Sequence, residues 1–414
     1  MPLTAILLGI ALAATHMTAL RGDAPVGPTE LASVAAASLS CLRNLPMMLR
    51  RQHAVGTSGA AAEAARDLFR TWVALLLCVT LSLGVNLQFY EATGASPLSA
   101  YAPYAFNVFV LFALFLEASA GSTRSVLEGY CFASFVICLG YLAGPDLSAE
   151  GNRFQGLTTN PNQAALFYLS VLMIGVSLLV SGSGLSNLKK AALVASALVA
   201  LVLGFATDSD AFKISIVVLV GGVGIASAIR LNKINTDIVV MSILFGIAAA
   251  LLLYAYDADF VEDAIEQATF SLTYGEQDTV RVLLWQNGLL AWYEAPIFGN
   301  GPGAWSGISG PFNATEAHNA FIDWLSIAGI IGMIPIIWLF SRIFKYPLSG
   351  NVVSYATLIA LIAFAFFHFT FRQPFYWIPL FAALAIARPR KLLGPSQRPA
   401  SDEKLTSPAA AARG

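Results

Sequence analysis

Apolar residues run along this chain in blocks of bilayer length, broken by short polar connections. A helix needs about 20 apolar residues, within a range of about 17–25, to cross a hydrocarbon core. Twelve segments meet or approach that requirement, near residues 3–20, 27–42, 71–90, 98–120, 125–144, 161–182, 189–207, 212–229, 236–255, 318–341, 351–370 and 374–388. The first two are Ala-rich and the last is short. One connection is long: residues 256–317 open acidic, with Asp257, Asp259, Glu262, Asp263 and Glu266. The stretch RVLLWQNGLLAWY at 281–293 follows, with Val282, Leu283, Trp285, Leu289 and Trp292 at helical spacing. It predicts an amphipathic helix lying at a membrane surface. Residues 296–313, PIFGNGPGAWSGISGPFN, are rich in Gly and Pro and predict irregular backbone. Before the sixth segment, Asn160-Pro161-Asn162 places a cap and a first-turn proline where a helix should start.

Composition makes the lipid environment compelling. Of 414 residues, 57% are apolar and 11% charged, and mean hydropathy is +0.70. A soluble domain carries about 25% charged residues. The expected fold is therefore all-α: a polytopic membrane domain over 1–388, with a Pro-, Ala- and charge-rich tail at 389–414. The net charge of -1 gives no bias toward nucleic acid. Cys41, Cys78, Cys131 and Cys138 lie in apolar runs without a CxxC pair and read as small buried hydrophobes.

Cations fix the expected orientation, because Lys and Arg resist translocation. With both termini in the cytoplasm, eighteen of the 23 Lys and Arg fall inside and every inner loop is basic. The loop 256–317 then faces the extracytoplasmic side. Residues 1–20 contain Ala11-Leu12-Ala13, as a cleaved signal would, but lack a basic leading region. Five cations escape to the outside: Arg21, Arg153, Lys213, Arg281 and Arg372.

Those outer cations are candidates for binding phosphate, which a guanidinium holds through paired hydrogen bonds. Arg153 and Arg281 stand beside span ends, and Arg372 and Lys213 reach the same side; the alternative for Arg281 is pairing with Glu276 or Asp278. His318 opens the tenth segment in Glu316-Ala317-His318-Asn319. Imidazole titrates near neutrality and can take a proton from a hydroxyl, although an interfacial histidine can also serve packing alone. His16, His53 and His368 read as structural. Asp208-Ser209-Asp210 and Asp257-Ala258-Asp259 have the D-x-D spacing that holds a divalent ion in some membrane glycosyltransferases. The segment centres carry no charge; Glu117, Glu128 and Asp323 lie near ends. That pattern speaks against a membrane transporter, the main alternative of another class, since ion paths place charge at mid-bilayer.

Three stretches together resemble the O-antigen ligase and polymerase superfamily of bacterial inner membranes. They are Arg153-Phe154-Gln155-Gly156-Leu157 with Asn160-Pro161-Asn162, then Arg281-x-x-x-Trp285 leading to Pro296-Ile297-Phe298-Gly299-Asn300-Gly301-Pro302-Gly303, then His318-Asn319-Ala320-Phe321 with Gly329 and Gly332. The likeness covers about residues 150–340. One element departs: where the family often carries Ser-Arg-Gly, this chain reads Ser209-Asp210-Ala211-Phe212-Lys213. The resemblance implies an inverting glycosyltransferase, independent of metal and cofactor, that takes a glycan from a polyprenyl-diphosphate carrier. The implied acceptor is a sugar hydroxyl, most typically on lipid A–core, at the periplasmic face of the inner membrane. A polysaccharide polymerase or a protein O-oligosaccharyltransferase would differ only in acceptor. Arg281 and Arg153 would grip the diphosphate, with Arg372 and Lys213 as further candidates, and His318 would activate the hydroxyl. Gly299, Gly301, Gly303 and Asn319 would lie near the glycan, and the surface helix would roof the site.

Overall fold

A computed structural model describes residues 3–21, 26–51, 60–86, 97–143, 153–181, 185–229, 276–304, 315–344 and 352–387. The expected ninth segment (236–255), the acidic start of the long loop with its D-x-D pair, His53 and the tail 389–414 lie outside the described residues.

Twelve α-helices and one 3-10 turn form the described chain, which contains no strand. They are α1 (Leu3–Ala14), α2 (Pro28–Arg51), α3 (Ala60–Val85), α4 (Pro97–Ser119), α5 (Thr123–Ala143), α6 (Pro161–Ser181), α7 (Asn187–Ala206), α8 (Asp210–Ile229), α9 (Glu276–Glu294), α10 (Ala320–Phe344), α11 (Val352–Phe367) and α12 (Pro374–Ala387). Six are long and apolar enough to cross a membrane, namely α3 to α7 and α10; α1, α11 and α12 are apolar but shorter. At 1.5 Å per residue, the 12 residues of α1 reach about 18 Å, short of the roughly 30 Å hydrocarbon thickness. Every expected segment within the described residues coincides with a helix.

The outward faces are apolar at helical spacing. Phe132, Val136 and Leu139 on α5, Val194, Leu198 and Val202 on α7, and Ile330, Ile334 and Ile337 on α10 are all exposed. Such ridges suit a surface solvated by lipid tails, where helix association depends on close packing and interhelical hydrogen bonds. Close packing is visible where α1 crosses α5. A Cβ on Gly9 would stand 2.0 Å from the Val126 carbonyl oxygen, and one on Gly129 would stand 2.6 Å from that of Ile6. At the centre, α6 is buried from Ala164 to Ile174 and packs against α7 and α12.

Several helix ends and starts meet at one end of the bundle. There Ala19 donates its N–H to the Leu157 carbonyl, Phe154 to that of Ala206, and Thr18 bonds Gln163. Arg21, Arg153, Lys213, Arg281 and Arg372 belong to this end. At the opposite end Glu117 accepts from Thr4 and Ser40, and Glu128 accepts from Arg124 and Lys189.

The amphipathic segment is helical, as α9, but its buried stripe is Leu284, Gly288 and Ala291, while Leu283 and Leu289 point outward. The reason is the glycine-rich segment after it, which threads back against α10. Asn300 donates its N–H to the Ser326 carbonyl, Gly301 to Ile327, and Ile330 to Pro296. This pairing opens α10 at Gly329, whose φ of 61° and ψ of -164° fall in a region open essentially only to glycine.

Candidate functional site

The local sequence forces an unusual entry into α10. Asn319 caps the helix, its Oδ1 accepting the N–H groups of Phe321 and Ile322. Asp323, fully buried one turn in, reaches back across the cap: one oxygen accepts the Ala317 N–H at 2.7 Å and the other the Asn319 N–H at 3.3 Å. The residue between them is His318, held at a φ of 54°. A non-glycine residue is uncommon there, and the two bonds from Asp323 fix the turn that imposes it.

The end of α11 brings His368 against this turn. The two imidazole Nδ1 atoms lie 3.4 Å apart with the rings inclined by 16°. Two residues before His318, Glu316 accepts a hydrogen bond from the Arg372 guanidinium. Arg372 is itself fixed through its backbone: Asn107 of α4 donates to its carbonyl at 2.9 Å, and the Trp377 indole donates to the carbonyl of Phe371. From α9, the Arg281 guanidinium carbon stands 6.0 Å from the centre of the Phe367 ring. Burial lowers the pKa of His318 below the usual 6.5, Glu316 works against that shift, and the Arg281 charge adds to it. His318 is therefore held toward the neutral imidazole, able to accept a proton, with the Arg281 charge near it and Arg372 bonded to the neighbouring Glu316.

Beside this group lies a cavity of about 660 Å³, walled by α2, α4, the start of α6 and the segment leading into α12. Arg372 lines the cavity and also bonds Glu316, so the two features adjoin.

Not every expected residue joins the group. Arg153 donates to the carbonyls of Thr207 and Asp208 at 3.1 Å and to Asn162 at 3.3 Å. It ties the α7–α8 turn to the start of α6, and the histidines are not among its partners. Lys213, 4% exposed, pairs with Asp208 at 2.7 Å and with Asp210 at 3.9 Å. The first D-x-D pair thus neutralises a buried lysine. Gly299 has a packing reason to be glycine: an added Cβ would stand 2.4 Å from the Ile327 carbonyl carbon. Gly301 and Gly303 share its left-handed backbone, and Asn319 serves as the cap described above.

Sequence patterns had His368 as structural and passed over Glu316, Asn107 and Asp323 as site residues. The usable signal was topological, since His368, Glu316 and Asp323 all fall at the same end as His318. One ligand atom each of Glu316, His318 and His368 lies within 4.8 Å of the others, a geometry compatible with a metal ion. The neighbouring guanidiniums oppose one. The chain matches no protein-family model and no curated protein.

Proposed function

We propose that the protein is a membrane glycosyltransferase of the O-antigen ligase kind, moving a glycan from a polyprenyl-diphosphate carrier to a sugar hydroxyl. The observation that carries this is the meeting of His318, neutral and half-buried, with Arg281 and Arg372 at one end of an apolar bundle. The carrier's lipid tail partitions into the bilayer and its diphosphate lies at the periplasmic interface. Arg281 binds the diphosphate and offsets the charge that grows on it. His318 takes the proton of the acceptor hydroxyl as its oxygen attacks the anomeric carbon, while the bond from that carbon to the phosphate oxygen breaks. The products are an inverted glycosidic bond and the carrier diphosphate. Arg153 and Lys213 support the neighbouring α7–α8 turn instead of the diphosphate. The preferred acceptor is lipid A–core; a growing glycan or a protein hydroxyl would use the same chemistry.

The test is transfer by the purified protein in liposomes from a carrier-linked glycan. His318→Ala should lower the rate by about 10²–10⁴-fold. Arg281→Lys, which keeps charge but loses the planar fork, should lower it by about 10²–10³-fold. Full transfer by His318→Ala, with the protein folded, would overturn the assignment. Deletion in the source organism separates the acceptors: a pool of carrier-linked polymer with bare lipid A–core marks a ligase, and single-repeat caps mark a polymerase.

A further inference from the structure

At the end of the bundle opposite His318, α5 and α7 begin side by side. Glu128 ties them together, accepting from Arg124 at 2.8 Å and from Lys189 at 2.7 Å. Lys190, the next residue along α7, is exposed. One cation would neutralise Glu128; the others leave this end of the pair positive. Both helices add the partial positive charge of their N-terminal N–H groups.

A groove of about 270 Å³ runs from this charged mouth between the two helices. Its sides are apolar, formed by Phe132 and Phe135 of α5 and Leu193 of α7. It stays open because Gly129 and Ala192, which also line it, are small. The close crossing of α1 at Gly129 supplies Ile6 as its floor. From Glu128 to Phe135 the groove extends about 10 Å along α5, at 1.5 Å per residue.

An apolar groove with a positive mouth matches an amphiphile that has a hydrocarbon chain and an anionic head. The protein's own tail does not match, since residues 389–414 carry Arg390, Lys391, Arg398, Lys404 and Arg413 against Asp402 and Glu403. A second copy would set the same cations against themselves. An anionic lipid is complementary to both the mouth and the groove. Basic pockets between spans on the cytoplasmic side, where the distribution of Lys and Arg puts this end, bind such headgroups.

We infer that this groove holds an acyl chain of an anionic phospholipid, with the lipid's phosphate against Lys189 and Lys190. The site is separate from the His318 group and does not depend on the transferase reading.

Native mass spectrometry of the full chain in detergent tests this, with phosphatidylglycerol and phosphatidylcholine of identical acyl chains. The first phosphatidylglycerol should bind about 5–25-fold more tightly than the first phosphatidylcholine, a factor of about five for each lysine that reaches the phosphate. Lys190→Gln leaves the Glu128 bonds intact and should remove about fivefold of that preference. Ala192→Phe fills the groove and should lower phosphatidylglycerol to the affinity of phosphatidylcholine; if it does not fold, Ala192→Leu is read in the same way. Glycerophosphoglycerol, the same headgroup without chains, should not displace the lipid. Equal affinities in the wild type, or a preference untouched by Lys190→Gln, overturn the inference. So does tight binding that survives filling of the groove, or displacement by the bare headgroup, since either would leave a phosphate site without a lipid groove.

Discussion

His318 and His368 face each other through Nδ1 atoms 3.4 Å apart, although fifty positions separate them in the chain. Two ring nitrogens so close attract only when one carries the proton. For Nε2 of His318 to accept a proton from a hydroxyl, its own Nδ1 must hold the hydrogen and Nδ1 of His368 must receive it. His368 is then a positioning residue that selects the tautomer of the base. His368→Asn places an acceptor oxygen near the same point and should keep transfer within a few-fold. His368→Phe keeps the ring and removes the acceptor, and should lower kcat on the order of 10²-fold with KM unchanged. Initial rates across substrate concentration check both; equal rates for the two variants would exclude tautomer selection.

The pH profile follows from the charges around His318. Its pKa is depressed, so it stays neutral and competent below the usual 6.5, and activity should be lost only as pH falls through the lowered value. The groups around it are Glu316, Arg281 and His368, with Arg372 bonded to Glu316. Arg281 pushes the pKa down, so Arg281→Met should move the acid limb of kcat/KM to higher pH. Glu316 pushes it up, so Glu316→Gln should move the limb to lower pH. Opposite displacements identify His318 as the titrating base, and a limb fixed in both variants excludes it.

The helices were legible because an apolar run of bilayer length leaves the backbone few alternatives. The start of α6 was legible to the residue, since the cap and proline at 160–161 act locally: the Asn162 N–H bonds the Asn160 side chain at 2.8 Å. The site was less so, because its contacts are tertiary. Nothing near Arg153 in the chain announces that the carbonyls of Thr207 and Asp208 will take up its guanidinium. Nothing near Gly299 announces that its neighbour will be the backbone of α10 instead of a glycan. Asp323 looked like an interfacial carboxylate, and only the folded turn shows that it spans His318 from both sides.

The break in α10 is a stability prediction independent of any activity. An added Cβ on Gly329 would stand 2.2 Å from the Ile297 carbonyl oxygen, in a backbone conformation that side chains avoid. Relief would require the 296–301 segment to leave α10, breaking the bonds that Gly301 and Ile330 make across the junction. Gly329→Ala should therefore abolish recovery of monodisperse protein in detergent. Gly84→Ala on α3, where nothing lies within 4 Å of the added carbon, is the control. It should be neutral or stabilising by up to about 1 kcal/mol. Size-exclusion profiles and melting curves decide the comparison.

Metal dependence turns on which cation holds Glu316. The 3.4 Å between the two Nδ1 atoms is close to the spacing of two nitrogens on a tetrahedral zinc ion with bonds of about 2.0–2.1 Å. Geometry alone would admit the ion. Arg372, however, already bonds the carboxylate, and Arg281 adds a second positive charge beside the histidines. A divalent ion would have to displace the first and withstand the second. Transfer should therefore persist in excess chelator, with no stoichiometric zinc in the purified protein by mass spectrometry. Arg372→Met releases Glu316, and this variant should acquire zinc affinity and become inhibited as the ion captures His318. Loss of wild-type transfer in chelator, restored by zinc, would reverse the assignment and make the Glu316, His318 and His368 trio the centre of the chemistry.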